Sequence, residues 1–150
     1  MAGVLTLAWF HYLGIMFLAA ALVAEHLLFT PRPDRAIARK LVTVDLIYGV
    51  SLLVVLVTGL ARLFHGGKGV LFYMQNGAYH AKFSLFVLMA VLWLYPAFKF
   101  FSWRRQLKAG QAPVMGDAEA KRVLMAIRIQ LLILVLLPLL AAMMARGVWS

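Results

Sequence analysis

Residues 5–28 read LTLAWFHYLGIMFLAAALVAEHLL, with no Lys or Arg and a single carboxylate, Glu25, near the far end. About 20 apolar residues cross a bilayer core as a helix. A cleaved signal peptide would open on a positive segment and carry a shorter apolar run. Met1 to Leu7 holds no basic residue, and the run is too long. Despite the small residues Ala19, Ala20, Ala21 and Ala24, the stretch reads as a retained membrane helix.

Three more stretches of this kind follow, at 46–64, 80–101 and 124–145. The chain is 65% hydrophobic and 13% charged, with mean hydropathy +0.91, against roughly 25% charged in soluble domains. In lipid a spanning segment must satisfy its own backbone, as a helix does. The predicted class is all-α: a four-helix transmembrane bundle forming one domain over 1–150.

Loop charges give the orientation. The first loop, Thr30 to Lys40, holds Arg32, Arg35, Arg39 and Lys40 against Asp34, and Pro31 and Pro33 stop the helix before it. The third holds Arg104, Arg105, Lys108, Lys121 and Arg122 against Asp117 and Glu119. The second has His65 and Lys68, bordered by Arg62 and Lys82. The positive-inside rule puts the first and third loops in the cytoplasm and both termini in the periplasm of a bacterial inner membrane. Phe72, Tyr73 and Tyr79 suit an interfacial belt on the outer surface. Asp117 is expected to cap helix four, and Pro138 to kink it.

The net charge of +10 fits this bias and attraction to anionic lipid. Nucleic acid is excluded as a partner, because no basic patch lies on a folded polar surface. With no cysteine, disulfides, thiolate metal sites and C-x-x-C-H haem attachment are excluded. No P-loop, GxGxxG, H-E-x-x-H or nucleophile elbow is present. Gly66-Gly67-Lys68-Gly69 lacks the strand that a phosphate loop follows.

The polar residues within the spans carry the functional reading. An imidazole in hydrocarbon is expensive without a partner. His11 lies roughly 9 Å into helix one at 1.5 Å per residue, and His80 lies at the outer start of helix three. A haem between them could take one axial imidazole from each, as b-type electron carriers do, or one only, leaving a position for substrate. Gly14 shares His11's face and could admit a flat ring or a neighbouring helix. Ser84 shares His80's face. The alternative is an interfacial His80 and a packed His11.

Arg62 and Lys82 either snorkel to headgroups or pair with an anion such as a propionate. Lys82 lies about 200° around the helix from His80. His26 reads as interfacial and His65 as loop surface. Glu25 or Asp45 is expected to pair with Arg128, with proton handling by a carboxylate as the alternative. Asp45, Gly49, Leu52, Leu56 and Gly59 form a stripe suited to a helix–helix interface.

Trp9-Phe10-His11, Leu28-Phe29-Thr30-Pro31-Arg32 and Tyr79-His80-Ala81-Lys82-Phe83 carry a resemblance over essentially the whole chain. They resemble a family of small four-helix bacterial inner-membrane proteins of unestablished function. The last motif is also similar to the J-type protoporphyrinogen IX oxidases and to copper-resistance-D-like proteins. That resemblance implies haem b on His11 and His80, support from Lys82, a role for Arg32 and oxidation of a porphyrinogen. The spacing from His11 to Arg32 is longer here than in those oxidases.

The expected function is therefore that of a haem-b membrane oxidoreductase or electron-transfer protein with a membrane-soluble redox donor. The alternative is a cofactor-free helical subunit, its glycine stripe seating a membrane protein partner or a second copy.

Overall fold

The computed structural model describes residues 2–65 and 69–147. Residues 66–68, most of the Gly-Gly-Lys-Gly stretch, lie outside them. The described chain forms α1 (Ala2–Leu28), α2 (Arg35–His65), α3 (Val70–Met74), α4 (Gly77–Lys108) and α5 (Asp117–Ala145). All but α3 are long and apolar enough to cross a membrane. The chain is thus a multi-pass membrane protein built on four helices.

The helices outrun the expected spans because hydropathy marks the bilayer and capping marks the helix. α2 starts at Arg35, so the loop expected over Thr30–Lys40 is shorter. Asp34 makes the start: its Oδ1 accepts from the Ile37 N–H at 2.8 Å, a side-chain N-cap. Arg104, Arg105 and Lys108 belong to the last turns of α4, and Lys121 and Arg122 to the first turns of α5. Asp117 is not the cap. Gly116 precedes the helix, and Asp117 and Glu119 occupy its first turn, where they face the positive end of the helix dipole. Pro138 lies inside α5, as does Pro96 inside α4.

The four long helices pack as a closed ring, α1 on α2, α2 on α4, α4 on α5 and α5 on α1. The α1–α2 and α4–α5 loops meet at one end. There Met115 N–H donates to the Pro31 carbonyl at 2.8 Å and Arg35 Nη1 to the Gly110 carbonyl at 3.2 Å. The short helix α3 packs on α2 and α4 at the other end. Leu22, Leu41, Tyr48, Met89, Phe100, Val123 and Ile127 are fully buried in the core. Large apolar side chains also face outward, Leu27, Phe98 and Val135 among them. Helices apolar on every side suit a lipid surround.

Candidate functional site

At the α3 end the four long helices do not close on one another. They leave a cavity of about 370 Å³, lined by His11 and Leu18 of α1, Val55, Gly59 and Arg62 of α2, and Tyr79, Lys82 and Phe86 of α4 among others. Tyr73 of α3 and Leu134, Pro138 and Met144 of α5 complete the wall. The volume falls in the lower part of the range for small-molecule pockets, roughly 300–1,000 Å³.

His11 is buried, and its placement follows from Gly59 and Thr58. A Cβ on Gly59 would sit 3.4 Å from His11 Cε1, so the bare backbone of α2 gives the ring its seat. His11 Nδ1 is 2.8 Å from Thr58 Oγ1. The Thr58 hydroxyl spends its hydrogen on the Val54 carbonyl at 2.6 Å, the usual back-bond of a helical threonine. Its oxygen must therefore accept, which puts the ring hydrogen on Nδ1. The Val55 carbonyl, 3.3 Å from that hydroxyl, is a second acceptor on this side. No hydrogen bond among the described residues engages Nε2, which keeps its lone pair. A histidine oriented through its other N–H is the arrangement metal-ligating imidazoles use.

Two cations border the same cavity. Arg62 lies over the Tyr12 ring at 5.5 Å from its centre, a cation–π contact. Lys82 is close enough that its charge acts on both Arg62 and His11. All five side-chain carboxylates of the chain, Glu25, Asp34, Asp45, Asp117 and Glu119, lie toward the loop end. No acidic side chain can reach Arg62 or Lys82.

Of the residues singled out in the sequence, His11, Arg62 and Lys82 come together here. His80 does not. It is exposed, and its Nε2 donates to the Met74 carbonyl at 2.7 Å, closing the end of α3. Matching depth had suggested a shared ligand, but depth does not fix the face, and His80 and Lys82 point opposite ways around α4. Ser84 follows His80 outward and is exposed. Gly14 serves helix packing: its Cβ would stand 3.0 Å and 3.1 Å from Val55 and Val54 side-chain atoms. Arg32 is exposed in the α1–α2 loop, at the opposite end from the cavity.

The glycine stripe of α2 is consumed inside the bundle, Gly59 by His11 and Gly49 by Trp93, whose ring a Cβ would meet at 2.6 Å. Arg128 is exposed and pairs with neither Glu25 nor Asp45. Thr58, Tyr48, Trp93 and Gln130 went unread in the sequence. Gln130, a lone amide in an apolar run, carried a readable signal.

Residues 4–149 match the family of predicted membrane proteins DUF2214. The chain belongs to that family. No curated protein and no solved structure matches it. In this DUF2214 chain the segment Tyr79–Phe83 is divided by the helix: Tyr79, Lys82 and Phe83 line the cavity, and His80 faces away from it.

Proposed function

We propose that this DUF2214 protein binds haem b in the α3-end cavity and acts in membrane electron transfer or oxidation. His11 Nε2 would hold the iron, and Arg62 and Lys82 would pair with the propionates. The observation that carries the reading is one imidazole, oriented through Nδ1, beside two cations with no carboxylate in reach, all around an apolar cavity. A flat apolar ring with two acidic arms fits that donor set. Bound there, the haem supplies one-electron chemistry, and the protein sets its ligation and access.

The chain's own parts are distinct. Thr58 fixes the imidazole, Tyr12 steadies Arg62, and the Leu and Phe wall excludes water. With His11 as the one imidazole holding it, the iron would remain accessible to a small molecule. The electron donor is then a membrane-soluble reductant. The likeness of Tyr79–Phe83 to the J-type oxidases makes a porphyrinogen the first to assay. The excess of Lys and Arg at the loop end supports an inner-membrane orientation with the cavity on the periplasmic side.

The rival reading is a cofactor-free subunit whose histidines pack or touch lipid and whose glycine stripe seats a partner helix; Gly49 and Gly59 of that stripe are occupied within the chain. The test is the visible spectrum of protein purified from haem-replete membranes. A Soret band is expected, lost in His11→Ala and kept in His80→Ala. Colourless wild-type protein that also fails to take up added haemin would overturn the proposal.

A further inference from the structure

Toward the loop end lies a second buried polar group, separate from the cavity. Glu25 of α1 is 1% exposed and Asp45 of α2 is 6% exposed. Their carboxyls stand within hydrogen-bonding reach of each other. Asp45 Oδ1 also accepts from Trp93 Nε1–H at 3.1 Å. Glu25 Oε2 is enclosed and finds no donor among the described residues.

The neighbouring groups do not fill that need. Tyr48 of α2 is close to both carboxyls, but its hydroxyl donates to Gln130 Oε1 of α5 at 2.7 Å. Gln130 Nε2 in turn donates to the Ala126 carbonyl at 3.1 Å. From α4 the facing group is Trp93, already bonded to Asp45. Among the described residues neither carboxyl takes part in an ion pair. Two carboxylates offer four acceptor lone-pair sites apiece and no hydrogen. Two such charges in an apolar interior repel strongly without a counter-ion.

We propose that Glu25 and Asp45 form a proton-binding site that holds one hydrogen between two carboxyls. The proton supplies the donor that Glu25 lacks and removes one of two uncompensated charges. Glu25 is three residues from the last residue of α1, about one helical turn from the loop end. The proton exchanges with water on that side. The site is independent of haem binding at the other end.

Infrared spectroscopy of the reconstituted protein at neutral pH tests this. A protonated-carboxyl stretch is expected, shifted in heavy water within the time of buffer exchange. Glu25→Gln or Asp45→Asn should abolish it, because each amide donates the hydrogen that the proton supplied. The double variant, checked for a monodisperse folded peak in size exclusion, should also lack it. Absence of the band in folded wild type, or its persistence in the double variant, overturns the proposal. So does its replacement by carboxylate bands on adding sodium or potassium at fixed pH, which would make the pair a cation site.

Discussion

At the α3 end, His11, Arg62 and Lys82 surround an open volume and have no anion to face. At the loop end, Glu25, Asp45, Tyr48, Trp93 and Gln130 are closed in by packing, and the two acids have no cation to face. The same helices build both. The difference lies in what stands on the facing helix: at the loop end Trp93 and Gln130 reach across to fill the centre, while at the α3 end the α5 wall offers only Leu134, Leu137, Pro138, Ala141 and Met144. The charges that could neutralise one another sit far apart along α2. On the proposed readings each site takes its partner from outside the chain, an anionic ligand in one case and a proton in the other.

The sharpest way to break this contrast is His11→Ala, which leaves the loop end untouched. It should remove the Soret band of the haem-loaded protein entirely while thermal unfolding of the apoprotein moves little. An unchanged spectrum would remove His11 from ligation.

Gly49→Ala attacks the other end. Its new methyl would meet Trp93 at 2.6 Å, and overpacking of this kind destabilises by roughly 1–3 kcal/mol. Denaturant unfolding in detergent measures it, and retained haem affinity would show that the two ends are independent. The matching change at the α3 end, Gly59→Ala, meets His11 at an ordinary 3.4 Å. It should alter stability far less than Gly49→Ala in the same assay.

Thr58→Val keeps the shape and removes the acceptor that orients His11. Loss of such an orienting partner weakens metal affinity roughly 10- to 100-fold, readable by haem titration of the apoprotein. Tyr48→Phe deletes the bond to Gln130. Side-chain hydrogen bonds within membranes average about 0.6 kcal/mol, so a small loss of stability is expected, with no effect on haem. The smallest effect belongs to Lys99→Ala. Its 3.3 Å pair with the half-exposed Glu119 is of a class that contributes about 0–1 kcal/mol, within the scatter of the same unfolding measurement.

The four crossings were legible because a run such as 124–145 has few other homes. Helix ends were not: Arg35, Arg39 and Lys40 look like loop residues, yet Asp34 starts a helix beneath them and carries them on it. Within the site, His11 was legible as a polar group in an apolar run, and Arg62 and Lys82 as cations at the borders of the second loop. His80 was misjudged because the Met74 carbonyl that takes its N–H belongs to a five-residue helix too short for any hydropathy pattern. The ion pair expected for Arg128 failed for a related reason. Residue 130 turns inward and residue 128 outward, about 200° apart on the same helix, and depth along the sequence is blind to that angle.

Both polar centres take their register from one helix. Gly49 and Gly59 are ten residues apart, about 15 Å along α2, and each cradles a ring sent in by a different neighbour. Adding one residue between them would swing one cradle by about 100° relative to the other, so one guest would be evicted whichever alignment the helix chose. The length of the interval is therefore fixed: α2 is a ruler as well as a wall.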